Sequence, residues 1–402
     1  VAGRVVSCLR PSSLFVPQLL ECSGTSKGFH MFESYNVPEN LRPSDPRFGC
    51  GPSLIPTSFV ASLLETGQEF LGTSHRKPAV KNVVKEVQEG LANFFQLDDD
   101  YEVVLGNGGA TFLFDMIGLG AVNKKAGHFT CGEFSEKWYK SSAAIPWIEA
   151  EQFSVDYGKG IEGEDKSDCD LIAVTLNETS TGVQLAGIPK IDNETLLCVD
   201  ATSGGGQCPI DVNSTDMFFL SPQKIFASEG GLFINIMSKK ARERVLKIEG
   251  DKSRYVPPIM NWKTAITNSE KNQTYNTPAL ATLFFLNEQV KLMNKEGYAS
   301  IQKQAREKAD LIYGWAEKCE YLSPYITESS HRSVAVATID VDDKVDVGGL
   351  LKRLADQKAV YNIDSYRKLG RNQFRIGMFH NIKREDLEKL TQILSGAIES
   401  TL

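Results

Sequence analysis

Residues 196–232 read LLCVDATSGGGQCPIDVNSTDMFFLSPQKIFASEGGL. Two short apolar runs, Leu196 to Val199 and Met217 to Leu220, are each bounded by polar or glycine-rich turn residues and have the length of a buried strand. The first run ends on an acid, Asp200, and the second is followed at once by Ser221-Pro222-Gln223-Lys224. The carboxyl ends of strands are where α/β sheets bind ligands. The stretch therefore reads as neighbouring strands that deliver an acid and a lysine to one place.

The flanking sequence has the same alternation of strands and helices. Upstream, Leu171 to Leu176 reads as a buried strand ending in the polar turn Asn177-Glu178-Thr179-Ser180-Thr181-Gly182, and downstream Gly231 to Met237 reads as another strand. Further back, Glu102 to Leu105 is a strand followed by Gly106-Asn107-Gly108-Gly109-Ala110-Thr111 and an apolar helix. A strand, a small-residue loop and a helix start present free N–H groups and the positive end of a dipole, which is how anions and phosphates are held. The loop has neither the GxGxxG spacing of dinucleotide folds nor the GK[ST] ending of a P-loop. Before it, Val80, Val83, Val84, Val87, Leu91, Phe94 and Phe95 fall at helical spacing behind Pro78, and the loop Ser74-His75-Arg76 precedes that helix. An arginine in such a loop can clamp a carboxylate bidentately. Phe134, in GEF, offers an aromatic face.

Beyond the polar loop KNQTYNTP (271–278) the pattern changes. A long helix over Ala279 to Asn294 leads to a second with the stripe Ile301, Ala305, Ile312, Trp315 and Ala316. Strands over Ser333 to Val341 and Gln373 to Met378 then flank a helix over Val347 to Ala359, and Leu387, Leu390, Ile393, Leu394 and Ile398 mark a last helix. This order predicts a smaller α+β domain after about residue 285. The division is a leader over 1–30, a large domain with its N-terminal segment over 31–285, and a small domain over 286–402. In QFRIGM the alternation of Phe374, Ile376 and Met378 turns Arg375 to the opposite face. Arg367, Lys368 and Arg371 lie just upstream, a charge density that suits a doubly anionic substrate.

Composition narrows the partners. Across 402 residues, 41% are hydrophobic and 24% charged, with a net charge of −7 and a pI near 5.5. There is no basic field for nucleic acid or an anionic membrane and no apolar run of membrane-spanning length, so a small substrate is expected. The eight cysteines are scattered without a CxxC pair, and the five histidines form no metal-ligand pattern, so reduced thiols and no metal are expected. Residues 1–30 carry Arg4, Arg10 and Lys27 against one acid, Glu21, with five serines. That composition resembles an organellar transit peptide and is equally compatible with an extension ahead of a start at Met31. A cytoplasmic location is expected, with a mitochondrial or plastid one as the alternative if residues 1–30 act as a transit peptide.

One cofactor suits the acid and the lysine together. Pyridoxal phosphate needs a lysine for its aldehyde and a carboxylate against its ring nitrogen, so that the protonated ring can accept electrons. Taken alone, Asp200 and Lys224 could equally be a turn cap and a solvated loop residue. The remaining motifs decide. With GTSHR, GNGGAT, GEF, NETSTG, VDATSG, SPQK and NQTYNTP in this order, the chain resembles the phosphoserine aminotransferases of the class V, fold-type-I pyridoxal-phosphate enzymes over roughly residues 31–402.

The resemblance implies an α/β fold, with a mainly parallel seven-stranded sheet flanked by helices and a smaller C-terminal α+β domain. It implies that Lys224 is the Schiff-base lysine and Asp200 the partner of the ring nitrogen. Ala110, Thr111 and Gln223 would hold the cofactor phosphate, and Phe134 and Thr179 would contact its ring. Arg76 and Arg375 look like binders of the substrate carboxylate. Asn276 and Thr277 resemble residues that reach the cofactor of a neighbouring subunit, which implies a homodimer with shared sites. The better-known branch has a tryptophan where this chain has Phe134, and a His-Arg pair for the substrate phosphate where this chain has Tyr366-Arg367; any aromatic face can stack. The implied reaction is ping-pong transamination between glutamate and 3-phosphooxypyruvate. Alternatives are another class V aminotransferase using alanine or serine with glyoxylate, and a catalytically silent relative, which would most simply lack Lys224 or Asp200. A cysteine desulfurase would need a late catalytic cysteine, and none follows Cys319.

Overall fold

A computed structural model describes residues 35–166 and 168–400; the leader expected over residues 1–30 lies outside them. Among the described residues the first α-helices are α1 (Thr57–Phe70) and α2 (Pro78–Phe95), followed by β1 (Tyr101–Gly108), α3 (Ala110–Gly120), β2 (Lys125–Thr130), α4 (Glu133–Ala143) and β3 (Glu149–Ser154). Next come β4 (Leu171–Thr175), the short pair β5 (Asn177–Glu178) and β6 (Val183–Gln184), β7 (Leu196–Asp200), β8 (Met217–Leu220) and β9 (Gly231–Ser238). Helices α5 (Lys239–Glu249), α6 (Trp262–Ser269), α7 (Leu280–Glu296) and α8 (Tyr298–Lys318) lead to β10 (Leu322–Pro324), β11 (Val336–Val341), α9 (Val347–Asp356), β12 (Gln373–Gly377) and α10 (Arg384–Glu399).

The large sheet has seven strands in the order β1-β9-β8-β7-β4-β2-β3. Only β9 runs against the others, pairing antiparallel with β1 and with β8, so the sheet is mainly parallel. Every residue of β4, β7 and β8 is buried, as expected of strands covered on both faces. The pleat sorts them into two cores. Leu197, Val199, Phe218 and Leu220 join one cluster with Val84 and Leu91 of α2 and Leu283 and Leu286 of α7. Leu196, Cys198, Met217 and Phe219 join the other, with Phe114 of α3, Trp138 of α4 and Trp262 of α6. Helix α2 buries six of its seven expected apolar residues; Val83 sits at the margin.

A second, antiparallel sheet has the order β10-β11-β12. Two expected boundaries move for local reasons. Strand β11 begins at Val336 rather than Ser333, because the Ser333 hydroxyl accepts the N–H groups of Ala335 and Val336, each at 2.9 Å, and holds a turn there. Helix α9 stops at Asp356 rather than Ala359, just before Lys358 turns left-handed at φ 56°. The segment before α1 reaches across to the last third of the chain. Val37 N–H donates to Gln357, Ser44 to Asp386, and Gly377 N–H to the Phe48 carbonyl at 2.7 Å. Among the described residues no helix is long and apolar enough to cross a membrane.

Candidate active site

The carboxyl ends of the parallel strands open into a cavity of about 630 Å³. Its floor comes from the two strand ends that the sequence singled out. The turn after β8 carries Lys224, only 8% exposed, and its Nζ donates to Thr179 Oγ1 at 2.8 Å and lies 5.1 Å from the centre of the Phe134 ring. Burial pushes the amine down from its ordinary value to about 8, against the opposing pull of Asp200. Asp200, at the end of β7, accepts from the N–H and hydroxyl of Thr202 at 2.9 and 2.6 Å. Burial raises its carboxyl above the ordinary carboxylate range, and those two bonds oppose the rise.

The wall is a helix start. Strand β1 delivers Gly108 in a left-handed conformation at φ 132°, where a Cβ would stand 2.7 Å from Phe112, so glycine is needed there. Ala110, Thr111 and Phe112 then open α3 and line the cavity. The first N–H groups of a helix lack intrahelical acceptors. Opposite, Arg375 of β12 donates from Nη1 to the Thr179 carbonyl at 3.2 Å, and its guanidinium carbon lies 5.3 Å from the Tyr366 ring centre. The Tyr366 and Phe134 rings are 6.0 Å apart.

Eight of the expected residues therefore meet in one cavity: Ala110, Thr111, Phe134, Thr179, Asp200, Gln223, Lys224 and Arg375. Four do not. Arg76 and Thr277 line a separate, open recess of about 490 Å³ with His75, whose Nδ1 is 2.9 Å from Thr277 Oγ1. Asn276 and Arg367 are exposed and line neither space. The basic cluster disperses: Arg371 pairs with Asp340 at 2.6 Å and Lys368 with Glu133. Their charges answer local carboxylates, which weakens the expectation of convergence on a substrate. The candidate metal grouping Glu151, Asp168 and Cys169 has the Lys125 ammonium between its carboxylates.

The residues of the cavity fit pyridoxal phosphate. A buried amine and a buried carboxyl face one cavity, an aromatic ring lies beside the amine, and a helix start stands ready for an anion. Two buried polar atoms of lining residues, Asn177 Oδ1 and Arg375 Nε, have no partner within the chain, the condition of groups that wait for a ligand.

A sequence profile described as aminotransferase class-V matches residues 48–361. The chain belongs to that family. It is 42% identical over 369 residues to a phosphoserine aminotransferase of Corynebacterium glutamicum (strain R), covering 91% of this chain and 96% of the relative. It is also similar to the solved structure of a phosphoserine aminotransferase from Cytophaga hutchinsonii, with a TM-score of 0.80, 25% identity and coverage of 89% of this chain and 99% of that one. A PLP-bound phosphoserine aminotransferase from Trichomonas vaginalis shares the fold, at a TM-score of 0.75 and 19% identity over 87% of this chain and 99% of that one.

Sequence reasoning did not assign site roles to Asn177, Thr202, Ser203 or the segment Cys50-Gly51-Pro52, all of which line this class-V site, as does Tyr366, noted only at the position of the family's phosphate pair. Thr202 and Ser203 sit in the same motif as Asp200 and could have been read there. Cys50 to Pro52 carry no chemical signal. They arrive because the segment before α1 crosses from the second sheet and Ser53 N–H donates to the Gln223 carbonyl at 2.7 Å.

Proposed function

We propose that the chain is a pyridoxal-phosphate-dependent phosphoserine transaminase, interconverting 3-phosphooxypyruvate and L-glutamate with O-phospho-L-serine and 2-oxoglutarate in serine biosynthesis. The convergence of Lys224, Asp200, Phe134, Thr179 and Arg375 on one cavity carries the reading, and the shared name of relatives such as that of Corynebacterium supports the substrate. When bound, the cofactor supplies an aldehyde that takes up the amino group and a ring that spreads negative charge. The chain's residues supply the rest. Lys224, its amine lowered to about 8, moves the proton to and from the substrate Cα; a base with a pKa near the working pH is suited to that exchange. Asp200, oriented by the N–H and hydroxyl of Thr202, would partner the ring nitrogen and keep it protonated. Arg375 takes the substrate carboxylate, and Phe134, 5.1 Å from the Lys224 amine, offers an aromatic face to the cofactor ring.

The active unit in this reading is a homodimer with shared sites. Arg76, Asn276 and Thr277 stay out of their own chain's cavity, and α1 beside them exposes Val60 at 51% and Leu64 at 85%. A second copy would cover that apolar face and let the recess complete the neighbouring cavity. The expected division, a large domain with its N-terminal segment over 31–285 and a small domain over 286–402, is kept in this reading with one change. The segment before α1 goes with the small domain, to which Val37, Ser44 and Phe48 are bonded through Gln357, Asp386 and Gly377. A cytoplasmic location fits the cysteines, which are free among the described residues.

Visible absorbance tests the reading. Purified protein loaded with pyridoxal phosphate should lose its long-wavelength band on adding glutamate and regain it with 3-phosphooxypyruvate. A band indifferent to glutamate, or one restored by glyoxylate in preference to the phosphorylated acid, would move the assignment to another member of the family.

A further inference from the structure

The turn that carries Thr179 also carries a carboxylate to which the reaction assigns no part. Glu178, the last residue of β5, is 0% exposed. Its Oε1 accepts from the N–H groups of Phe134 at 3.3 Å and Ser180 at 3.2 Å and from the Ser180 hydroxyl at 2.7 Å. Its Oε2 accepts from the N–H and hydroxyl of Ser135 at 2.9 and 3.0 Å. The N–H of Glu133 goes to Ser180 Oγ at 3.0 Å. All three first-turn N–H groups of α4 thus end on the turn 178–180, where a buried anion also meets the positive end of the helix dipole.

Helices usually take such a cap from their own N-cap residue. Here that residue is Gly132, which has no side chain, and a Cβ on it would stand 2.4 Å from Glu178 Cγ. The glycine leaves room for a carboxylate more than forty positions away in the sequence. The arrangement fastens the first turn of α4 to the end of β5. That turn carries the Phe134 ring, 5.1 Å from Lys224 Nζ. The residue after Glu178 is Thr179, whose hydroxyl is 2.8 Å from the same Nζ and whose carbonyl receives Arg375 at 3.2 Å.

We infer that Glu178 is a positioning residue of the active site, joining the Phe134 ring and Thr179 into one rigid body. The inference rests on the transaminase reading and deepens it. A catalytic constellation has to be held within a fraction of an ångström by supporting hydrogen bonds; Glu178 supplies them for the turn that carries the ring and, through the adjacent Thr179, bears on the lysine and the arginine.

The test is Glu178→Gln, which keeps the size of the side chain but puts an NH2 donor where N–H donors already point. The control is Asn261→Ala, which removes the cap of α6, where Oδ1 accepts from Thr264 N–H at 2.9 Å, outside the cavity lining. Each cofactor-stripped protein is titrated with pyridoxal phosphate, and visible circular dichroism per bound cofactor, melting temperature and glutamate kinetics are measured. Glu178→Gln should bind the cofactor about 10- to 100-fold more weakly, the scale on which supporting hydrogen bonds act, with an altered dichroic band and a lower kcat. Should Glu178→Gln fail to fold, Ser180→Ala should move the same readouts in the same direction by a smaller amount. Wild-type affinity and dichroism in the variant that folds would overturn the inference, as would equal changes in Asn261→Ala at matched melting temperature. A wild-type chain that takes up no pyridoxal phosphate would instead overturn the underlying reading.

Discussion

The cavity at the strand ends and the recess around Thr277 hold expected site residues in opposite states. In the cavity, Lys224 and Asp200 are almost wholly buried and hydrogen-bonded within the chain. In the recess, Arg76 and Thr277 are exposed, and Thr277 meets His75 Nδ1 and accepts from Asn107 at its carbonyl, each at 2.9 Å. Burying an amine and a carboxyl costs stability, and such groups cluster at functional sites. An arginine in an open recess costs little and does little until another surface covers it. The contrast separates chemistry, which one chain supplies, from completion of the site, which our account gives to a second copy.

The largest effect should come from the cavity. Lys224→Ala should lower transamination about 10²- to 10⁴-fold in stopped-flow half-reactions while the protein still folds by circular dichroism; a loss below tenfold would remove the lysine from its role. Arg375→Ala should lower kcat/KM for glutamate and for phosphoserine alike, about 10- to 150-fold, the range set by losing a charged hydrogen bond.

The recess should respond differently. Asn276→Ala with Thr277→Ala should be inactive alone, as should Lys224→Ala, yet a verified heterodimer of the two holds one intact site and should recover about half the wild-type rate. No recovery would assign the recess to its own chain. Arg367→Ala should depress phosphoserine turnover about tenfold, the lower end for one charged bond, and leave unphosphorylated amino acids unchanged. Equal losses on both would deny it a phosphate.

The cavity also predicts a pH dependence of stability. In the cofactor-free chain Lys224 titrates near 8 rather than at its ordinary 10.5, so between those values the unfolded chain binds the proton and the folded one does not. Stability therefore rises with pH across that window, by on the order of 3 kcal/mol for this group. Urea unfolding of cofactor-free wild type should show a steeper rise from pH 8 to 10 than Lys224→Met. Parallel curves would mean that the amine is not desolvated.

Much of this was legible because local sequence imposes it. The runs 196–199 and 217–220 have the length and bounding turns of buried strands, and the motif order placed the acid and lysine that follow them at one edge of the sheet. Phe134 and Thr179 were legible as members of motifs. What sequence hid is long-range. Nothing near Cys50 announces that its segment crosses from β12 to the lysine turn, and nothing near Gly132 announces that its missing side chain makes way for Glu178. In the basic run 367–371 charge density did not reveal partners: Asp340 and Glu133, which take the charges of Arg371 and Lys368, lie on other elements, while Arg367 stays exposed.

Borohydride reduction of the pyridoxal-phosphate-loaded protein, followed by peptide mapping, reaches the central claim most directly. Our account predicts one stable cofactor adduct, on the peptide containing Lys224, and its disappearance when glutamate is added before reduction. An adduct on a different lysine, or one that persists after glutamate, would contradict it.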